Sequence, residues 1–569
     1  MGRTIVRMAQ PGDLAGDLAG ELAGEFAGEL AGELAAHASI SRRHALKMGS
    51  IGLAGAGVSM AFITNAFGAP AGTTSTTATT ATTPSALGAA SPPPPQIIKS
   101  VDGVLRGLLT IDEGDAWVMG DNASGFKTYN GLCPGPVLWA EPGDRVLLDV
   151  KNNLSEMTNT HFHGFHVSPE GQADNIFAHV HPGETFHHDF VIPADHPGGL
   201  YWYHPHMHGL TNTQLYDGLA GLFVIGGGAA ALPSLADKTH VLMAFRNTAI
   251  DAGPPRRLDK TASSQDQTQT VNGEDDPPLS IAPGETQLWQ IGNISNEAYL
   301  RLTLDGHPFT VVAEDGHLWW QSSETTELFM PPGKRYEVAV TGGAPGTYAF
   351  RQLGYYEGPF GDWRPQVVGT LTVAGAAQTP AAIPAHPAPR EDLADESIAQ
   401  RRTITMSEKD SLGLGAGKFY MNGVLFQDIT PADILQVTLG TTEEWVIRND
   451  PSVAQDGVLE EHPFHLHVNH MVVTGTGTYD PDTGQATSFV AVDAPGKVDT
   501  VSVKPGEYAV VRVKFEDYTG LTVFHCHILE HEDKGMMGEI NMNAAPVPAP
   551  APTPVTPASP VVVAPSFTG

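Results

Sequence analysis

Tyr129-Asn130-Gly131, then Pro142-Gly143-Asp144, then Val150-Lys151-Asn152: this sequence writes that passage three times. The second copy is Val271-Asn272-Gly273, Pro283-Gly284-Glu285 and Ile291-Gly292-Asn293. The third is Met421-Asn422-Gly423, Leu439-Gly440-Thr441 and Ile447-Arg448-Asn449. Each copy reads as a strand, a turn and another strand with alternating apolar residues, as in Trp445-Val446-Ile447 after Glu443-Glu444. The copies recur at domain-sized intervals, far longer than the roughly 20–50 residues of a solenoid unit. Three successive β-sandwich domains follow, at 97–228, 229–378 and 400–545, with a linker at 379–399 that continues the Pro/Ala-rich stretch from Ala376 to Pro389.

The bulk composition agrees. A chain of 569 residues has room for three or four domains. Its 63 glycines and 45 prolines fall between short apolar runs, as tight turns in an all-β protein require. The net charge of −32 argues against nucleic acid or an anionic membrane surface as partner.

The flanks read differently. Residues 1–71 form a leader, and residues 13–36 of it repeat a Leu-Ala-Gly unit whose regular glycines make a poor helix. Ser41-Arg42-Arg43-His44-Ala45-Leu46-Lys47, followed by the weakly apolar run from Met48 to Phe67, resembles a twin-arginine signal with a small-residue cleavage site at Ala69-Pro70-Ala71. Ala45 stands where that pattern favours Phe. The expected location is periplasmic or secreted, without stable membrane association after cleavage. Residues 72–96 are a Thr/Ala/Pro linker and 546–569 a Pro/Ala-rich tail, both of disorder-prone composition.

Histidines carry the chemistry. Four clusters occupy the outer two repeats: His161-Phe162-His163, His204-Pro205-His206, His462-Pro463-Phe464-His465-Leu466-His467, and His525-Cys526-His527 with His531 and Met536. On a strand, residues i and i+2 share a face, so each His-x-His pair aims two imidazoles at one metal centre. In His525-Cys526-His527 the thiol faces the opposite way, and the segment can join two sites. Cys526, His462 and His531, with Met536 as a weak axial ligand, make the His2Cys set of a blue-copper electron-transfer site. Eight histidines remain for further copper. Zinc would accept such imidazoles but has no redox activity and no need of the thiolate–imidazole joint. Cys133, in the turn-like Gly131-Leu132-Cys133-Pro134-Gly135, reads as a passive buried thiol.

In order and spacing the four clusters resemble those of the multicopper oxidase family, including bacterial laccases and cuprous oxidases, over residues 97–545. The resemblance implies three consecutive cupredoxin-like Greek-key domains and four coppers per chain: one type 1, one type 2 and a type 3 pair. It implies that His161 and His465 are type 2 ligands, and that His163, His204, His206, His467, His525 and His527 are type 3 ligands. His166 and His208 match no ligand and are expected beside the site or at the surface. Glu532, directly after His531, resembles an acid that related oxidases use to deliver protons to the O2 site, and Asp174 resembles a second such carboxylate. The implied reaction is one-electron oxidation of a small reductant coupled to four-electron reduction of O2 to water. Cuprous-ion oxidation is the competing activity, but the 15 methionines are scattered and only Met536-Met537 are adjacent, which favours organic reductants. A non-catalytic copper-binding protein on the same domains is the alternative of a different class.

Overall fold

A computed structural model describes residues 95–251, 253–359, 361–409, 417–453 and 459–546. The leader with its twin-arginine motif, nearly all of the 72–96 linker and all but the start of the tail lie outside the described residues.

Apart from a two-stranded ribbon, Tyr355–Tyr356 with Asp362–Trp363, the strands form three pairs of facing sheets. In the first, Val104–Val118, Asp121–Tyr129, Arg145–Asn152 and Thr185–Val191 make one sheet; the other holds Ile97–Lys99, Val137–Ala140, Gly221–Ile225, Gly199–His204 and His161–His163. Leu105, Leu148 and Phe190 from one sheet and Leu138, Phe162 and Phe223 from the other share a buried core. Alternation explains it: along Arg145–Asn152 every second residue is buried. Two further sandwiches repeat the arrangement within residues 240–373 and 398–543. Each contains the same parallel pair, Val104–Val118 with Arg145–Asn152, His240–Thr248 with Thr286–Asn293, and Ile398–Lys409 with Thr441–Asp450. A parallel pair between strands not adjacent in sequence needs a crossover, so none of the three is a simple meander.

The thrice-written passage has a physical meaning at each of its parts. Asn130-Gly131, Asn272-Gly273 and Asn422-Gly423 all lie at positive φ, the demand of a two-residue turn matched to strand twist. Each Asn side chain accepts the backbone N–H of the neighbouring strand, at Thr110, Ala244 and Thr405. The closing Asn152, Asn293 and Asn449 are buried, and each side-chain amide donates to two backbone carbonyls: Glu156 and Val180, Ala298 and Met330, Glu460 and Val503. Their backbones also meet the glycine of a Pro-Gly turn, at Gly183, Gly333 and Gly506. Such buried carbonyls need partners, and asparagine brings two donors to them.

Candidate metal centre

One strand pair of the third sandwich sets the geometry. His462–Leu466 runs antiparallel to Gly520–Cys526, with His465 opposite His525 and Phe464 opposite Cys526. Cross-strand partners share a face. His462, Phe464 and Cys526 therefore point into the core of this sandwich, while His465, His467, His525 and His527 point out of it, toward the first sandwich. There, His161–His163 pairs with Gly199–His204, placing His161 opposite His204.

The inward pocket gathers His462, Cys526 and His531. The Sγ of Cys526 lies 3.7 Å from His462 Nδ1 and 3.8 Å from His531 Nδ1. Phe419 stacks on the His531 ring at 4.0 Å, and Glu460 Oε2 stands 3.0 Å from His531 Nε2. Met536 is fully buried, and its backbone joins Cys526 N–H and His531 C=O. Burial pushes the Cys526 thiol well up, so a thiolate here calls for a cation bound to it.

The outward face closes on the first sandwich as a cluster of eight buried imidazoles. His163, His204 and His527 converge as one trio, and His206, His467 and His525 as another. His161 and His465 come together with His163. Each His-x-His pair thus feeds one cluster, and two of the pairs divide between the trios: His204 and His206 part company, as do His525 and His527, whereas His161 and His163 share a group. In these two pairs strand structure ends before the second histidine, at His204 and at Cys526.

Burial, joined by neighbouring imidazoles at His161 and His465, holds these rings well below their ordinary pKa, so they are neutral. Their nitrogens are sorted. His161 Nδ1 lies 2.9 Å from Asp174, His204 Nδ1 2.8 Å from the Pro205 carbonyl, and His465 Nδ1 2.9 Å from the Asp499 carbonyl. In all three rings Nε2 is buried without a hydrogen-bond partner. Buried polar atoms are seldom left so, and an acceptor nitrogen fixed by a bond at its other side is how a protein presents imidazole to a metal. The donor set fits copper: a thiol with imidazoles in one pocket, imidazoles alone in the other.

Two carboxylates border the cluster. Asp174 is buried, bonded to His161 Nδ1 and to the Phe162 N–H, and burial raises it to about 8. Glu532 is fully buried, 3.2 Å from His525 Nδ1 and 3.4 Å from His206 Nδ1, and accepts from Thr211 Oγ1; burial raises it far above a free acid. Neither is a solvated surface acid. His166 bridges the Val468 carbonyl and Asp517, tying the first sandwich to the third, while half-buried His208 packs on Phe426. Cys133 is buried and accepts from Arg246. Sequence reasoning passed over Glu460, Asp499 and the turn Pro331-Pro332-Gly333. The recurring Pro-Gly turn was the available signal for the last.

Three family models described as multicopper oxidase match residues 110–229, 247–365 and 396–545. The chain is 27% identical over 458 residues to a multicopper oxidase of Staphylococcus aureus, covering 78% of this chain and 90% of that protein. It is 26% identical over 470 residues to the laccase of Bacillus subtilis (strain 168), covering 72% and 88%. Among solved structures, a multicopper oxidase from Campylobacter jejuni, described as a metallo-oxidase, superposes with a TM-score of 0.65 at 25% identity, covering 79% of this chain and 96% of that one.

Proposed function

The chain belongs to the multicopper oxidase family and is an oxidoreductase that uses oxygen; on that premise we propose that it is a laccase-type enzyme oxidising phenols or aromatic amines. Four bound coppers would supply the four one-electron changes that convert O2 to two waters: type 1 at His462, Cys526, His531 and Met536; type 2 at His161 and His465; and a type 3 pair, one at His163, His204 and His527, the other at His206, His467 and His525. The observation that carries the reading is the division of one strand pair into a thiol face and an imidazole face, joined through His525-Cys526-His527.

The residues divide the remaining work. Cys526 and its two neighbours give a through-bond path from one pocket to the other. Glu460 faces His531, and Glu357 and Glu461 are buried nearby, with burial and the neighbouring carboxylates holding Glu357 as a neutral acid. Glu532 and Asp174 hold protons at the cluster's edge, because burial favours their neutral acids. Thr211 links Glu532 outward: its hydroxyl donates to Glu532 while its N–H meets Asp533.

Cuprous oxidation remains the competing activity. Against it, the buried methionines of the described residues serve as core packing, Met243 and Met330 in the second sandwich and Met406, Met421, Met471 and Met542 in the third. Oxygen uptake on a panel of phenols, aromatic amines and Cu(I) tests the choice. Phenol turnover without added copper is expected; turnover that required excess copper beside rapid Cu(I) oxidation would reverse it. Export through the twin-arginine route is part of the same proposal, supported by Arg42-Arg43. Replacing both arginines by lysine should leave the precursor in the cytoplasm, and unchanged export would remove that part.

A further inference from the structure

The middle sandwich contributes none of the eight histidines, yet it reaches the cluster. Gly333, at φ +87°, lies so close that a Cβ there would sit 3.0 Å from His163 Cε1 and 3.2 Å from His527 Nε2. Two residues on, the fully buried Arg335 sends Nη1 to Asp499, 2.9 Å from Oδ1 and 2.7 Å from Oδ2. Asp499 Oδ1 in turn stands 3.2 Å from His163 Nε2. We propose that Arg335, acting through Asp499, decides which ring nitrogen of His163 faces the cluster, making the middle sandwich a positioning element for one copper of the type 3 pair. This rests on the ligand assignment above.

His163 is the exception among its neighbours. His161, His204, His465 and His525 are all fixed at Nδ1, by Asp174, Pro205, Asp499 and Cys526 respectively, which leaves Nε2 for the interior. His163 is fixed at Nε2, and its Nδ1 looks inward, 3.2 Å from His527 Nε2. The direction of the His163–Asp499 bond follows from the other contacts of Oδ1. That atom already accepts from Arg335 Nη1 and from Thr500 Oγ1, so it has no proton to give and the N–H belongs to His163. A ring that donates at one nitrogen offers its lone pair at the other.

Asp499 fixes two rings at once in opposite senses. Its side chain takes His163 Nε2 and its backbone carbonyl takes His465 Nδ1, while the two rings stack 3.9 Å apart. Its own position is held from the middle sandwich. Asp315 accepts the N–H of Asp499 and of Arg335, and Lys334 Nζ bonds Asp315 and the Thr500 carbonyl, each at 2.8 Å. Gly164, beside His163, leaves the space: a Cβ there would strike Arg335 Nη2 and Asp499 Oδ2. A mere interdomain clamp would need none of this aim at one imidazole nitrogen.

The test uses the full chain in two states. In copper-free protein labelled with 15N-histidine, with the His163 signals identified by their loss in His163→Gln, the proton is expected on Nε2 of His163. A proton on Nδ1 would overturn the inference. In copper-loaded protein, Asp499→Asn and Arg335→Met should each weaken binding of one type 3 copper about 10–100-fold. A formerly silent, coupled copper should then appear by EPR, while the blue colour of Cys526 is unchanged. Arg335→Lys, which keeps a cation, should recover part of the affinity. Full affinity in both Asp499→Asn and Arg335→Met would also sink the inference, as would loss of the blue site in step with the pair, the sign of general loosening. Should the parent lack a coupled pair, the ligand assignment fails instead, and the copper-free measurement still judges the role of Asp499.

Discussion

The thiol pocket and the histidine cluster share one strand pair and differ in how they are held. The pocket is assembled inside the third sandwich, its ligands lying between residues 462 and 536, and Phe464, Ile528, Met536 and the ring of Phe419 pack around it, with Glu460 against His531. The cluster is assembled between sandwiches, and five of its eight rings, His161, His163, His204, His465 and His525, are aimed by a carboxylate or a backbone carbonyl. A pocket within one core inherits its geometry from packing, which is dense and hard to deform. A site between cores has to be aimed bond by bond. The difference predicts that damage at one centre leaves the other standing.

Cys526→Ser puts that independence to its hardest trial. The variant should lose its blue colour and all oxidase activity while retaining copper in the histidine cluster, as read by absorbance and metal analysis. A variant that stayed blue would end the assignment of Cys526, and loss of all copper would end the independence. Glu532→Gln comes next. It keeps the shape of the acid but cannot release a proton, so reoxidation by O2 should slow about 10²–10⁴-fold with reduction of the blue site unaltered. Stopped-flow measurement of the two half-reactions separates these, and equal reoxidation rates in variant and parent would strip Glu532 of the role.

Asn293→Ala sharpens the comparison from the scaffold side. It leaves the buried carbonyls of Ala298 and Met330 without their donor, a cost of about 1–3 kcal/mol in unfolding free energy. Met330, which loses that side-chain donor, directly precedes the Pro331-Pro332-Gly333 turn that lies on the cluster. Type 3 copper should therefore loosen more than blue copper; equal loosening would mean that the middle sandwich stabilises both centres alike. The smallest effect belongs to Met536→Leu. Removing a weak thioether donor should raise the reduction potential of the blue site without touching the cluster. An unchanged potential in redox titration would reduce Met536 to a packing residue.

How much of this was legible in the sequence follows the same division. The three sandwiches and the four histidine clusters could be read directly, because turns, strand alternation and His-x-His spacing are local properties of a chain. The opposite facing of Cys526 and its flanking histidines followed from the pleat alone. The division of His204 from His206, and of His525 from His527, did not, since it depends on which rings meet across two sandwiches. The burial of Glu532 and Asp174 was not written in the residues around them, and only the family resemblance pointed to the O2 site: an acid among dozens of acids looks the same in sequence whether it faces water or another domain. Arg335 and Asp499 were invisible for a stronger reason. They act only when two sandwiches touch, and nothing within either segment records that meeting.

The cluster's division between distant segments has a consequence in time. His206 meets His525 across 319 residues, and His163 meets His527 across 364. At a synthesis rate of roughly 5–20 residues per second, the first sandwich's four histidines are finished on the order of tens of seconds before their counterparts exist. For that interval they form one jaw of a clamp, open to any metal that favours imidazole, and copper holds only the general advantage of the divalent series there. The thiol pocket never passes through such a stage, since its first ligand, His462, is made close to its last. The final segment from His525 onward therefore closes the clamp.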